Sequence, residues 1–417
     1  MSTLRQKIEQ QIRERGPIPF SRYMELCLYD PDFGYYSRNA AQFGKAGDFY
    51  TSSDVHAVFG RLLARQFEEM WRVLGSPHHI TLREVGPGRG LFAQDMLDWS
   101  EKKFPDFFSA LHYVLEERSP ALRERIETIL NRHIQSGKTQ LISSASLDAN
   151  AGSILFAAAE RRHNAAHGAS RGSVRQADQA PEGRKNPSAA DTPTIIFANE
   201  FFDAIPVEIV SPQGSLRIDA CAGRFVETWA PPSPEELEFL DRYSIHPEPG
   251  ERVEVPLQSQ MYMNTAAKLE RGFIVVIDYG YTREEQLSGR HRGTLKAIRQ
   301  HSVSENTYEA PGEQDITADV NFTALAAAAE KQGMQTQKLV TQSQFLLGIG
   351  EANEFADAFE ECRLPQERAK VALQLKHLVT PAGMGESFHV LIGSKGVAGE
   401  EVAALSGLNF GTKLTRR

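Results

Sequence analysis

Thr81-Leu82-Arg83-Glu84-Val85-Gly86-Pro87-Gly88-Arg89-Gly90 decides the fold class of this 417-residue chain. The stretch predicts a short strand that runs into three glycines at alternate positions, followed by a helix that begins near Leu91. Glycine accepts positive φ and lets a ligand approach the backbone, and the amides at the helix start face whatever binds above the strand. The spacing differs from the G-x-G-x-x-G of dinucleotide-binding proteins, and an ordinary strand-to-helix turn explains it equally well.

The composition indicates a soluble globular protein. Hydrophobic residues make up 41% and charged residues 24% of the chain, and the length suggests two or more domains. The net charge of -8 argues against a general nucleic-acid binder, which would carry a basic face. It leaves room for a cationic substrate, although solubility alone also explains it.

The cysteine spacing indicates whether a metal site or disulfides are expected, and the first residues indicate the expected cellular compartment. Cys27, Cys221 and Cys362 are widely spaced, which predicts neither a zinc site nor a disulfide framework, so no metal is expected. Met1 to Gly16 lacks the apolar region of a signal peptide, and no apolar run reaches the ~18 residues that a membrane span needs. We therefore expect a cytoplasmic protein without a membrane span.

Apolar segments alternate with helical patterns along most of the chain. This order predicts an α/β fold with a doubly wound sheet. The predicted strands lie near residues 81–85, 111–117, 139–143, 194–199, 272–281, 335–340 and 388–393.

Composition shifts divide the chain further. A segment rich in Ala, Arg, Ser and Gly predicts a disordered insertion, and short strands with glycine turns after the fourth strand predict an inserted substrate subdomain. We expect an N-terminal helical extension with a covering loop at 1–75 and a main domain split between 76–206 and 272–396. The disordered insertion lies at 160–192, the inserted α+β subdomain at 207–271 and a C-terminal tail at 397–417.

Polar residues stand where predicted strands end. An acid at the end of the second strand is where α/β nucleotide folds bind ribose hydroxyls, and Glu117 is our first choice with Glu116 second. A solvated strand end is the alternative for both. The fourth strand runs into Asn199-Glu200-Phe201-Phe202-Asp203, and 290–322 forms a long polar segment that we expect to be a functional loop.

Five motifs in order resemble the MidA-like family of class I S-adenosylmethionine-dependent methyltransferases. They are Gly47-Asp48-Phe49-Tyr50-Thr51-Ser52, Glu84 to Gly90, Asn199 to Pro206, Ile277-Asp278-Tyr279-Gly280 and Gln314 to Val320. The resemblance covers nearly the whole chain. It implies a Rossmann-like, seven-stranded sheet with an antiparallel final strand, S-adenosyl-L-methionine as cofactor, and methylation of an arginine in a protein substrate, by analogy a respiratory complex I-type subunit.

The resemblance also implies roles for the residues around the cofactor. Gly86, Gly88 and Gly90 let the backbone approach the cofactor, and Glu117 accepts its ribose hydroxyls. Glu84 orients the loop or the ammonium group, with a structural role at the strand end as the alternative. The remaining cofactor residues are Asn199 and, in a loop that closes over the site, Asp48 and Tyr50.

An arginine substrate calls for carboxylates, because its charge is delocalised and its nitrogens are poor nucleophiles. We expect Glu200 and Asp203 to be the catalytic pair, although Asp203 could instead cap a helix. Asp315 and Asp319 are further candidates for the substrate side. His301 is a candidate base, with a hydrogen-bonded surface histidine as the alternative.

Two other functions compete with arginine methylation. The same cofactor site would serve a methyltransferase that acts on a small molecule or another side chain. A non-catalytic assembly factor that works by contact is the second, and the intact glycine triad and Asn199-Glu200-Phe201-Phe202-Asp203 argue against it. The oligomeric state does not follow from the sequence.

Overall fold

A central, mostly parallel β-sheet organises the chain. The computed structural model describes residues 3–38, 57–143, 192–299, 302–304 and 306–410. The strands are β1 Ile18–Pro19, β2 Ile80–Val85, β3 Leu111–Glu117, β4 Thr139–Ser143, β5 Thr194–Asn199, β6 Glu208–Ser211, β7 Gly214–Cys221, β8 Arg224–Ala230, β9 Val253–Val255, β10 Gly272–Tyr281, β11 Lys296–Arg299, β12 Ser302–Ser304, β13 Asp315–Thr317, β14 Val320–Asn321, β15 Gln335–Thr336, β16 Val340–Thr341 and β17 Phe388–Lys395.

Helices surround this sheet and fill the remaining chain. They are α1 Leu4–Arg15, α2 Phe20–Tyr29, α3 Tyr35–Arg38, α4 Val58–Val73, α5 Leu91–Lys103, α6 Pro105–Ala110, α7 Pro120–Ile129, α8 Asn131–Gln135, α9 Pro234–Tyr243, α10 Leu257–Ala266, α11 Arg283–Leu287, α12 Phe322–Lys331, α13 Gln342–Glu351, α14 Ala356–Phe359, α15 Pro365–Val379 and α16 Gly399–Ala403. Short 3₁₀ helices occupy Phe202–Ala204 and Ser406–Leu408. Within the described ranges no helix is long and apolar enough to cross a membrane.

The strand order of the main sheet confirms the predicted doubly wound class. Seven strands follow one another as β15-β17-β10-β5-β2-β3-β4, and the two-residue strands β14 and β16 add to β10 and β17. β17 runs antiparallel to β10, as predicted for the final strand, whereas β2, β3, β4, β5 and β10 are parallel. The chain order changes direction beside β2, so the carboxyl ends of β2 and β5 border a crevice.

Both faces of this sheet are buried, which explains the continuous apolar runs of its strands. In β10, Phe273 and Val275 pack into the larger core with α4 and α5, while Ile274 and Val276 pack on the opposite face with α12. Each of the four is at most 3% exposed. Alternate residues of one strand therefore serve two cores, and the polar side chains at the strand ends are left for the site.

A second sheet joins the N-terminus to the inserted residues. Its order is β1-β7-β6-β9 with β8 on β7, and Ile18 of β1 pairs with Ile218 of β7. The apolar sides of α1 and α2 pack against this sheet. The short strands predicted after the fourth strand are present as β6, β7 and β8, and β1 from near residue 18 adds to their sheet. The proposed domain boundaries stay predictions.

The long polar segment at 290–322, which we expected to be a functional loop, contains short strands among its described residues. The expected function of this segment stays a prediction. β11 pairs with both β12 and β13 in a small antiparallel sheet. Ala297 and Ile316 are at most 1% exposed and give this sheet its apolar side. The strands are only three or four residues long, so the polar residues between them conceal their pattern.

Candidate active site

A cavity of about 850 Å³ lies at the carboxyl ends of the parallel strands. This volume is in the range of small-molecule sites, and the position is the one that open α/β sheets use for ligands. The glycine loop after β2, the end of β3 and the end of β5 form one side. Residues after β10, the small sheet at 296–317 and the segment before β17 form the other. Tyr29 and Tyr36 of the N-terminal extension close part of the wall.

The glycine loop takes the predicted left-handed conformation. Gly88 has φ +53°, lines the cavity, and a Cβ built on it would meet no atom of the described residues within 4 Å. Gly86 also lines the cavity, and a Cβ there would lie 2.7 Å from the Phe201 ring. Gly90 caps α5, and its Cβ would meet Ile126 at 3.2 Å. Gly88 therefore leaves ligand space, whereas Gly90, which does not line the cavity, serves helix packing.

The structure separates the two acids at the end of β3. The guanidinium of Arg83 holds the Glu116 carboxylate, with Nε at 2.9 Å. Glu117 Oε1 instead accepts a hydrogen bond from the Ser119 amide at 2.8 Å and lies close to Gly88. Both acids line the cavity. Burial raises the pKa of Glu117 to about 7, while backbone amides of Ser119, Arg118 and Gly88 oppose the rise. These contacts favour Glu117 over Glu116, and its role as the ribose acceptor stays a prediction.

Glu84 also lines this cavity. Its Oε2 accepts a hydrogen bond from the Tyr113 hydroxyl at 2.7 Å, and the side chain is only 4% exposed. Burial raises the pKa of Glu84 to about 8. The Tyr113 contact supports the structural alternative, and the position of Glu84 in the cavity lining is compatible with a role toward the cofactor as well.

Asn199 and Glu200 stand where β5 ends. Glu200 has φ +50°, a left-handed conformation that costs free energy in a residue with a Cβ. Asn199 Nδ2 donates to Glu200 Oε1 at 3.1 Å, and both side chains line the cavity. Among the described residues, Asn199 Oδ1 is buried without a hydrogen-bond partner. A buried carbonyl of this kind needs a donor, which a ligand in the cavity can supply.

Asp203 faces the same cavity but does not cap a helix. The Tyr279 hydroxyl donates to Asp203 Oδ2 at 2.6 Å, and the 3₁₀ helix Phe202–Ala204 has no side-chain cap. Asp203 Oδ1 is buried and has no hydrogen-bond partner in the described part of the chain. Burial raises the pKa of Asp203 to about 6. The capping alternative is therefore wrong, and the carboxylate keeps one oxygen for a further donor.

Asp315 and Asp319 come from the small sheet and the turn after it. Asp315 accepts a hydrogen bond from the Tyr36 hydroxyl at 2.7 Å. Asp319 accepts from Lys296 Nζ at 3.1 Å and lies 3.1 Å from His291 Nδ1. Both acids line the cavity, and their role toward a substrate stays a prediction. Asp48, Tyr50 and His301 lie outside the described residues, so their roles stay predictions.

Several residues near this site were not predicted from the sequence to have a role. Asp278, at the end of β10, accepts backbone hydrogen bonds from the loop that carries Glu200 and Asp203. His389 is its cross-strand neighbour in β17 and lines the cavity, and burial lowers its pKa. The Ile277-Asp278-Tyr279-Gly280 motif could have indicated Asp278. Nothing near Tyr36 in sequence indicates its contact with Asp315.

The fold and the site together define a class I methyltransferase. A family described as "Putative S-adenosyl-L-methionine-dependent methyltransferase" matches residues 62–340, and the chain belongs to this family. The chain is therefore an S-adenosylmethionine-dependent methyltransferase.

Relatives match along most of the chain. It is 28% identical to the "Protein arginine methyltransferase NDUFAF7 homolog, mitochondrial" of Drosophila melanogaster, over 95% of this chain and 85% of that protein. The human protein arginine methyltransferase NDUFAF7, mitochondrial, is 26% identical over 91% and 80%. A crystal structure from Burkholderia thailandensis, bound to S-adenosyl-homocysteine, is 25% identical and superposes with a TM-score of 0.73, covering 97% of this chain and 94% of that one.

The residues present fit S-adenosylmethionine. The space at Gly88 admits a ligand against the backbone, and the Glu117 carboxylate suits two ribose hydroxyls. Asn199 Oδ1, without a partner in the described part of the chain, suits a donor. No group of three or more His, Cys, Asp or Glu side chains in the described ranges could hold a metal ion.

We expect Glu117→Gln to weaken binding of S-adenosylmethionine by roughly 20-fold, because hydrogen bonds to a charged acceptor contribute about 1.5–3 kcal/mol. Calorimetric titration of the folded variant measures the change. Glu116→Gln is the matched control, since that acid is occupied by Arg83, and its affinity should stay within about threefold. The reverse pattern would make Glu116 the ribose acceptor.

The pH dependence of binding gives a second check on Glu117. Its pKa of about 7 means that the free protein holds a proton there below neutrality, whereas ribose hydroxyls favour the ionised form. Affinity should therefore rise between pH 6 and 8, by at most about tenfold per pH unit. The Glu117→Gln variant should lose most of this rise. A rise of equal slope in that variant would assign it to another group, such as Glu84.

Proposed function

We propose that this chain is a protein-arginine N-methyltransferase. Its relatives in fly and human carry that activity in their names. The observation that carries the proposal is the pair of carboxylates, Glu200 and Asp203, which line one cavity with the glycine loop and Glu117. Acids beside a cofactor site are the groups that a cationic acceptor requires.

The chemistry of the guanidinium explains why two carboxylates are useful. Bound S-adenosylmethionine supplies a methyl group on a positively charged sulfur. Arginine stays protonated at any physiological pH, with its charge spread over three nitrogens. Glu200 would hold the guanidinium and draw its positive charge toward one side, so that the opposite nitrogen regains nucleophilic character. When that nitrogen takes the methyl group, the S–CH3 bond breaks, S-adenosyl-homocysteine leaves, and the methylated nitrogen loses one proton to water. Oδ1 of Asp203, which has no hydrogen-bond partner among the residues that the structure describes, suits a second donor of the same planar group.

The acids on the other wall support binding of a peptide. Asp315 is fixed by Tyr36, and Asp319 is fixed by Lys296 and His291, so neither side chain has to be ordered when a substrate arrives. Fixed side chains reduce the entropy lost on binding. By analogy within the family, we propose a respiratory complex I-type subunit as the substrate. A cytoplasmic location stays a prediction from the sequence.

The test is methyl transfer to defined peptides. Purified protein is incubated with S-adenosylmethionine and arginine peptides that cover the exposed segments of a complex I-type quinone-oxidoreductase subunit, each with an Arg→Lys counterpart. Mass spectrometry should find methyl groups on arginine peptides and none on the lysine counterparts. Methylation of lysine would contradict the acceptor class. Tight cofactor binding without transfer to any arginine would favour the non-catalytic assembly factor.

A further inference from the structure

The carboxylate of Asp278 accepts hydrogen bonds from backbone amides of the loop that carries Glu200 and Asp203. Its Oδ2 accepts from the amides of Phe201, Phe202 and Asp203, at 3.2, 2.9 and 3.4 Å. Its Oδ1 accepts from the Tyr279 amide at 3.0 Å. Asp278 is 0% exposed and is not part of the cavity lining. It can therefore act on a substrate through the loop that it holds and through Tyr279, which lines the cavity.

From these contacts we infer that Asp278 and Tyr279 are positioning residues, which hold Glu200 and Asp203 in the geometry needed for methyl transfer. The inference rests on the proposed function for the roles of those two acids. In this inference, residues near the end of β10 determine the conformation of the loop after β5. β5 and β10 are neighbours in the sheet.

The cost of burying Asp278 supports a specific role. A carboxylate without access to water is unfavourable unless hydrogen bonds compensate for lost solvation. Burial and the nearby carboxyls of Asp203 and Glu200 raise the pKa of Asp278, and the amides of Phe202 and Tyr279 oppose the rise. If the strand end served only packing, an apolar residue at this position would cost less free energy to bury than a carboxylate.

The held conformation is an unfavourable one. Glu200 has φ +50°, and its amide donates to the Ile277 carbonyl at 3.0 Å, one residue before Asp278. The carboxylate of Asp278 then fixes the three following amides. Glu200 is thus bracketed by two consecutive residues of β10, which explains how a strained backbone persists in a non-glycine residue.

Tyr279 extends this control to the second acid. Its hydroxyl donates to Asp203 Oδ2 at 2.6 Å, while the amide of Asp203 faces Asp278. The orientation of the Asp203 carboxylate is therefore set from the same strand end. Side chains held within about 0.5 Å of the productive geometry are what efficient sites require.

Asp278→Asn tests the inference. The substitution keeps the shape of the side chain but replaces one carboxylate oxygen by an NH2 group, which faces a backbone N–H and cannot accept its hydrogen bond. We expect kcat for arginine methylation to fall roughly 30-fold, less than the ~100-fold that a 1 Å misplacement can cost. The Kd for S-adenosylmethionine should change less than about threefold.

Asp357→Asn is the matched control for loss of a buried carboxylate. Asp357 is 2% exposed, accepts from Arg65, Trp99 and Asn353, and does not line the cavity. Its variant should lose thermal stability without losing kcat. If both variants lose kcat in proportion to their Tm, the role of Asp278 is merely structural and the inference is wrong.

A double-mutant cycle with Glu200→Gln separates positioning from general damage. If Asp278 acts through Glu200, adding Asp278→Asn to Glu200→Gln should lower kcat by no more than about threefold further. The same addition is made to Asp203→Asn, because Asp278 also holds the amide of that residue. A further loss equal to that in the wild-type background, in both Glu200→Gln and Asp203→Asn, would overturn the inference. Tyr279→Phe removes only the hydroxyl, and should lower kcat for arginine even if Asp278→Asn folds poorly; unchanged kcat in Tyr279→Phe would exclude its role.

A structural readout keeps this inference separate from the proposed function. Crystals of Asp278→Asn should show residue 200 out of the left-handed region and the Glu200 carboxylate displaced. An unchanged loop would overturn the inference, whatever the substrate. Absence of arginine methylation by the wild-type protein would instead refute the proposed function, while the crystal structure would still decide whether Asp278 shapes the loop.

Discussion

Glu200→Gln should lower kcat for arginine methylation by about 1000-fold, the range in which single groups that act on the reacting atoms fall. Glutamine preserves the size of the side chain and its Oε1 can still accept from Asn199 Nδ2. It removes the negative charge that holds and polarises a guanidinium. The Kd for S-adenosylmethionine should stay within about threefold, because the expected loss concerns the acceptor.

Initial rates at saturating cofactor and peptide measure this change. Glu354→Gln is the matched control, because Glu354 is also a glutamate in the left-handed region, with φ +55°, and lies away from the cavity. Any general effect of the substitution on a strained backbone appears in both variants. A Glu200→Gln protein that retains kcat would exclude Glu200 as the group that activates the acceptor.

Gly88→Val should reduce the affinity for S-adenosylmethionine by about 1000-fold, equivalent to roughly 4 kcal/mol. The side chain would enter the open space beside Gly88, which the ligand needs for its approach to the backbone. Because no protein atom of the described residues lies within 4 Å of the position that a Cβ would take, the fold itself does not require glycine for space. Calorimetric titration of the variant checks the loss.

Backbone strain has to be separated from occlusion of the cavity. Gly137→Val provides this control, because Gly137 has φ +74° and equally open surroundings but lies outside the cavity lining. Both variants should lose similar thermal stability, since valine is strained in that region. Only the variant at 88 should lose the cofactor. Normal affinity in a folded Gly88→Val protein would contradict the placement of the ligand against the glycine loop.

Local patterns account for the parts of the fold and site that were predicted. The glycine spacing after β2, the acids that end β3 and the polar exit of β5 each lie within a few residues of a recognisable strand. Parallel strands bring such exits to one edge, so Glu117 and Glu200 could be assigned to one cavity from sequence alone.

The remaining features depend on contacts between distant residues. Tyr36 and Asp315 are joined by a hydrogen bond across 279 positions, and no local pattern of either residue specifies the other. The two-residue strand β1 and the short strands near 300 bury too few alternating residues to show a period. Asp203 resembles a helix cap locally, and only the Tyr279 hydroxyl identifies its actual partner.

The pairing of Ile18 with Ile218 has a consequence for synthesis of the chain on the ribosome. The first two helices leave the ribosome long before the strand that covers their apolar sides, since translation adds about 5–20 residues per second and their partner follows ~10–40 s later. During this interval the buried residues of α1 and α2 face solvent or a chaperone. The segment that supplies Tyr36 to the cavity wall therefore reaches its final contacts only after β7 and Asp315 have been made.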